Sequence, residues 1–117
     1  MTSLDEARAR LRNFNAARDW GRFHTPKNLV LALTGEVGEL AAAFQWLAED
    51  DVADWLAKDE NASSVRQEIA DVLAYLLLLA DAVDVDPVLA LMEKLELNET
   101  RYPVEQARGN ARKYDQL

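Results

Sequence analysis

The longest uninterrupted apolar run in the chain, Val72 to Ala80, is nine residues long and follows directly on a charged residue, Asp71. Nine residues cannot cross a bilayer, which takes about 20 in a helix. From Ile69 to Ala80 the sequence is apolar nearly all round, the pattern of a central, buried helix rather than of one lying on a surface. No stretch alternates apolar and polar residues with the β-branched enrichment that strands need, and only four glycines and three prolines punctuate the chain. The fold class expected is all-α. At 117 residues the chain is expected to form a single domain, 1–117, burying roughly two thirds of its unfolded surface.

Capping signals divide it into four long helices. The first is expected after Thr2 or Ser3 as N-cap, with Asp5 and Glu6 in its first turn and Leu4, Ala7, Leu11 and Phe14 on one face, ending near Trp20-Gly21. A loop over Arg22-Phe23-His24-Thr25-Pro26 follows, in which Thr25 caps a second helix from about Lys27 to Leu47. A polar connection opens at Ala48-Glu49-Asp50-Asp51, has room for a short helix at Val52 to Ala57, and closes with Asp59-Glu60-Asn61. The third helix is expected from Ser63 or Ser64, the latter with Gln67 as a capping box, to about Val83. Asp86-Pro87 starts the fourth, which runs to about Thr100 and stops at Tyr102-Pro103. The tail, residues 104–117, reads as an extended or weakly helical arm.

Composition limits the chemistry. Twenty-one acidic against thirteen basic residues give a net charge of -8, an unfavourable field for nucleic-acid polymers or anionic lipid. The N-terminal residues Met1 to Phe14 lack the apolar core of a signal peptide, so a cytoplasmic location is expected. Without cysteine there is no disulfide framework, thiolate zinc or thiol catalysis, and the single histidine, His24, excludes a site needing two imidazoles. Any metal must be held by oxygen.

Two places put carboxylates on apolar helical faces. Glu36 and Glu39 are three residues apart on the second helix, and Glu68 and Asp71 are three apart on the third. Each pair has an aromatic residue one heptad on: Trp46 follows Glu39 and Tyr75 follows Glu68. Such pairs are common on solvated faces, but Asp71 lies among Ile69, Ala70, Val72 and Leu73 and needs a partner. If the two stripes face each other, four carboxylates repel unless a cation neutralises them, and hard oxygen ligands point to Mg²⁺ or Mn²⁺. The di-iron alternative wants Glu-x-x-His pairs, which are absent. Gly35 and Gly38 flank the first pair at a cost of about 1 kcal/mol each to a helix, which suggests a close approach to the backbone there.

The sequence Gly35-Glu36-Val37-Gly38-Glu39-Leu40 with Phe44-Gln45-Trp46, then Glu68-Ile69-Ala70-Asp71-Val72-Leu73-Ala74-Tyr75, resembles the all-α MazG-like nucleoside triphosphate pyrophosphohydrolases, in which an ExxE and an ExxD flank a spacer. The resemblance extends to the dCTP pyrophosphatase branch through Arg18-Asp19-Trp20, Phe23-His24-Thr25-Pro26-Lys27-Asn28-Leu29, Lys94-Leu95-Glu96-Leu97-Asn98, Arg101-Tyr102-Pro103 and Ala111-Arg112-Lys113-Tyr114. It covers nearly the whole chain from about Leu11 onward. One departure falls at Leu11 itself, where the animal branch carries a histidine near the base pocket.

This resemblance implies a four-helix bundle-type MazG-like fold, assembled as a homo-oligomer, with a tetramer favoured over a dimer. It implies Mg²⁺-dependent hydrolysis of dCTP or a related pyrimidine deoxynucleotide to the monophosphate and pyrophosphate, cleansing the nucleotide pool. The alternatives are a dUTP or broad-spectrum enzyme using the same carboxylates, and a non-catalytic helical oligomer that binds metal. Glu36, Glu39, Glu68 and Asp71 correspond to metal ligands, with Glu36 or Glu39 activating water. For the base the resemblance points to Trp20, Gly21, Arg22, Phe23 and His24 with Trp46 and Tyr75. Lys94 and Asn98 are implied on the triphosphate, where charge also suggests Arg112 and Lys113.

Overall fold

Ser3 is the first helix cap. In the computed structural model, which describes residues 2–117, its hydroxyl accepts from the Glu6 backbone N–H at 3.1 Å and opens α1, Leu4–Ala17. The expected extension to Trp20-Gly21 is absent. The backbone N–H groups of Arg18 and Trp20 both turn back to the Asn15 carbonyl, and Asp19 takes a left-handed conformation at φ 52°. A 3₁₀ turn, Gly21–Phe23, occupies part of the expected loop.

Thr25 caps α2, Pro26–Phe44, by accepting from the Asn28 N–H at 3.3 Å, and Pro26 sits where no helical donor is required. α2 stops at Phe44 rather than at Leu47, because the Leu47 N–H closes a three-residue turn onto the Phe44 carbonyl. Trp46 therefore falls outside the helix. After a 3₁₀ turn at Glu49–Asp51 comes α3, Val52–Leu56, the short helix for which the sequence leaves room.

α4 runs Asp59–Ala82. It begins four residues before Ser63 and absorbs the Asp59-Glu60-Asn61 segment that reads as loop in the sequence. Two acids in the first turn suit the helix dipole, and the Asn61 amide donates to the Trp55 carbonyl at 2.9 Å. The expected Ser64 capping box gives way to a bond along the helix, from Gln67 Nε2 to Ser63 Oγ at 3.3 Å.

The chain divides into two compact units, one ending at Asp84 and the other Val85–Leu117. In the first, α2 and α4 form the main helix pair, and α1 and α3 rest on α4. Leu29 of α2 and Leu77 and Ala80 of α4 are the buried apolar core among the described residues. At the C-terminal end of α4, Arg8 and Arg12 of α1 converge on Asp81: Arg8 reaches Oδ1 at 2.9 Å, and Arg12 spans both oxygens at 2.7 and 2.6 Å. The Arg12 hydrogen bond, with help from Arg8, holds the Asp81 carboxyl down at about 2. α4 is not buried all round as expected: Ile69, Leu73 and Leu76 stay about half exposed.

The second unit opens with α5, Pro87–Arg101, whose N-cap Asp86 accepts from the N–H groups of Val88 and Leu89. Pro103 follows it, then a short α6, Val104–Ala107, and a 3₁₀ turn at Tyr114–Gln116. The arm is thus weakly helical. The Arg101 guanidinium lies 4.5 Å from the Tyr114 ring centroid, and Tyr114 meets Tyr102 edge to face. No helix among the described residues is long and apolar enough to cross a membrane.

Candidate active site

Glu36 and Glu39 leave α2 on the side that meets α4, where Glu68 stands. One carboxylate oxygen from each of the three lies within 4.8 Å of the other two. Glu36 and Glu68 are half-buried and Glu39 is exposed. Glu36 Oε2 and Glu68 Oε2 are inaccessible to solvent and have no hydrogen-bond partner. A buried carboxylate oxygen without a donor is costly, and two side by side also repel. Burial first, then the neighbouring Glu68, Glu39 and Asp71, push the Glu36 carboxyl up to about 7. Among the described residues no ion pair reaches Glu36, Glu39 or Glu68. All-oxygen donors and two orphaned oxygens fit a hard divalent cation.

Asp71 contributes to the field at Glu36 but belongs geometrically to the next feature. It lines a cavity of about 210 Å³ together with Leu11 and Phe14 of α1, Trp20, His24, and Tyr75 of α4. The helix pair thus juxtaposes a carboxylate cluster and an aromatic-walled hollow through Asp71. Trp20 is braced edge to face on Phe14, centroids 5.6 Å apart, and the Arg18 guanidinium covers Phe14 at 3.7 Å. A second cavity, about 310 Å³, also borders on His24 and includes Gly21, Arg12 and Asp81. A larger hollow of about 590 Å³ along α1 is lined by Leu11 and Phe14 but by none of the carboxylates and none of the residues from Trp20 to His24.

The remaining residues are placed less tightly. Arg22 lies on the 3₁₀ turn, 3.6 Å from Asp19 and 4.8 Å from the Phe23 ring centroid, with Phe23 itself exposed. Trp46, beyond the end of α2, is 88% exposed. Lys94 and Asn98 are one turn apart on α5, and Arg112 and Lys113 precede the last 3₁₀ turn, all four in the second unit. At Gly35 and Gly38 an added Cβ would meet nothing within 4 Å, so no described part of this chain makes the expected close approach.

Sequence reasoning missed Asn15, which lines both smaller cavities. Its signal was present, since Asn15 is four residues after Leu11 and falls on the face that Leu4 and Leu11 define. A polar residue on an apolar stripe is a weaker signal than a charged one, but it is a signal.

The profile of the MazG-like family matches residues 32–117. The chain is similar to dCTP pyrophosphatase 1 of Homo sapiens, at 42% identity over 115 residues covering 98% of this chain and 68% of that protein. The same protein of Rattus norvegicus is also 42% identical, and that of Bos taurus 41%, with the same coverage. Among solved structures, a pyrophosphatase from Archaeoglobus fulgidus superposes with a TM-score of 0.80 at 39% identity, covering 88% of this chain and 94% of that one.

Proposed function

The chain belongs to the MazG-like family, and from that premise we propose that it is a Mg²⁺-dependent pyrophosphohydrolase converting dCTP or a related pyrimidine deoxynucleoside triphosphate to the monophosphate and pyrophosphate. The observation that carries this reading is the convergence of Glu36, Glu39 and Glu68, with two buried oxygens unmet, in a chain 42% identical to dCTP pyrophosphatases. Glu36, Glu39 and Glu68 would hold the metal, joined by Asp71 from the wall of the adjoining cavity. When bound, a divalent cation supplies charge neutralisation for the triphosphate and polarises the phosphoryl group under attack. Glu36 or Glu39 orients the attacking water and accepts its proton on a carboxylate oxygen. The water oxygen bonds to the α-phosphorus, the α–β phosphoanhydride breaks, and the electron pair leaves with pyrophosphate.

Trp20, Gly21, Arg22, Phe23 and His24, with Tyr75, bind the nucleoside, and stacking on the flat rings contributes about 1–3 kcal/mol whatever the base. Trp46 joins them once its exposed ring is covered. Lys94, Asn98, Arg112 and Lys113 bind the triphosphate. Residues 1–117 act as one domain of four-helix bundle type, and the family match across both units supports this.

The enzyme is cytoplasmic and a homo-oligomer, a tetramer ahead of a dimer. Leu31, Ile69, Leu89, Leu91 and Met92 are each more than half exposed in the single chain, an apolar surface that association would cover. Sedimentation at micromolar concentration showing only a 13.2 kDa species would contradict the assembly. Pyrophosphate release across a panel of deoxynucleoside triphosphates, with and without Mg²⁺, tests the activity. Metal-dependent turnover of dCTP or its relatives is expected, and none on any triphosphate would overturn the assignment.

A further inference from the structure

Among the described residues Asn15 is the one buried polar residue, with 7% of its surface exposed, and its carboxamide nitrogen has no hydrogen-bond partner. Buried polar groups are ordinarily satisfied, so an unmet donor needs a reason. The side chain borders both the 210 Å³ and the 310 Å³ cavities, facing a space walled by Trp20, His24, Asp71 and Tyr75. Its backbone has a separate task. The Asn15 carbonyl accepts from the Arg18 and Trp20 N–H groups at 3.2 and 3.1 Å, fixing the turn that brings Trp20 to the cavity. Changing the side chain leaves those bonds in place.

Stacking on Trp20 and Tyr75 holds any base about equally, so discrimination has to come from an edge. A carboxamide carries a donor and an acceptor side by side. Toward cytosine, Nδ2 donates to N3 and Oδ1 accepts from the exocyclic amino group. Turned over, Oδ1 accepts from N3–H and Nδ2 donates to O4 of uracil or thymine.

We propose that Asn15 is a specificity-determining residue, hydrogen-bonding the Watson–Crick edge of a pyrimidine seated in the cavity that Trp20 and Tyr75 line, and that by turning over its carboxamide reads cytosine and uracil-type bases alike. The proposal rests on the nucleotide-hydrolysis reading above. It names the group that chooses the base.

The test compares wild-type enzyme with Asn15→Ala on dCTP and dUTP, with inorganic tripolyphosphate as a competitor that has no base. Loss of a neutral hydrogen-bonding pair raises KM for both substrates about tenfold, with kcat within about twofold. The inhibition constant of tripolyphosphate stays unchanged, and the Tm of the free enzyme holds or rises, because no internal bond of that side chain is lost. Asn15→Ser, polar but too short to span both atoms of the edge, gives the same pattern where Asn15→Ala folds poorly.

Unchanged KM values overturn the proposal, as does a parallel rise in the tripolyphosphate constant, which is the mark of a structural role. A wild-type preference between dCTP and dUTP above about a hundredfold overturns the two-edge reading, since it exceeds what one flippable amide can give. A wild-type enzyme inactive on every triphosphate overturns the hydrolase reading instead. Calorimetry with dCMP then still decides the base contact, which is upheld if wild type binds and Asn15→Ala does not.

Discussion

Glu68 and Asp81 stand on the same helix, α4, and are provided for in opposite ways. Asp81 meets two guanidinium groups of α1, has both oxygens bonded, and is held down to about 2. Glu68 faces Glu36 and Glu39 across the α2–α4 contact, has a buried oxygen with no donor, and helps push Glu36 up to about 7. One end of α4 spends its carboxylate on holding α1 in place. The other concentrates negative charge that a proton or an added cation would relieve. In a chain this small, a destabilising cluster beside a fully paired acid is the physical mark that separates a site from scaffold.

Exchanging charge for amide at each end gives the widest expected contrast. Glu68→Gln, or Glu39→Gln, lowers pyrophosphate release by a factor on the order of 10²–10³, the scale of losing one preorganised electrostatic element, while circular dichroism and Tm of the metal-free protein hold or improve. Asp81→Asn does the reverse. It leaves turnover in place and costs about 1–3 kcal/mol of stability, because Arg8, largely buried, loses its partner. Urea denaturation read beside a turnover assay distinguishes the two, and the contrast fails if Glu68→Gln unfolds the protein or Asp81→Asn abolishes activity.

A smaller effect, of opposite sign at the two ends, is expected with pH. Glu36 binds protons more tightly folded than unfolded, so its contribution is fully present below about 4.5 and is lost as pH rises through about 7. The groups facing it are Glu68, Glu39 and Asp71, all acidic, so nothing on the protein offsets the loss. Asp81 contributes above its ordinary value of 3.8, and that contribution disappears as pH falls toward 2. Thermal melts of wild type and Glu36→Gln from pH 4 to 8, without metal, therefore diverge at the upper end. Mg²⁺ should close the gap by neutralising the cluster; parallel curves at every pH would refute the uncompensated state of Glu36.

The difference between the two ends also sets what the sequence could reveal. The convergence of Glu36, Glu39 and Glu68 was legible because charge at helical spacing on apolar faces is itself a departure from pattern. Thr25 and Asp86 were legible because capping is local chemistry. The Asp81 ion pair was not, since its partners lie 69 and 73 residues away in sequence and nothing local matches them. Helix ends failed for a related reason. α1 stops at Ala17 and α2 at Phe44 through backbone turns that no glycine or proline announces, whereas α4 starts early because acidic residues that read as loop also suit a first helical turn. Trp46 slipped off the α2 face by that route, and Asn15 was overlooked because an uncharged polar residue disturbs a stripe less visibly than a carboxylate.

Gly35 and Gly38 allow the smallest and most local test of the same contrast. Their place beside Glu36 and Glu39 suggested a close approach, yet a Cβ at either meets open space. In an open helix interior, Gly→Ala stabilises by about 0.5–1 kcal/mol, chiefly by restricting the unfolded chain. Gly35→Ala is thus expected to raise the urea midpoint slightly without changing the slope of the transition, a gain comparable for Gly38→Ala. Should either substitution instead lower stability in a concentration-dependent way, a second subunit must close on that face of α2. The glycines would then be the packing surface of the assembly, and the adjoining carboxylates Glu36 and Glu39 would sit at a subunit boundary rather than on an open helix.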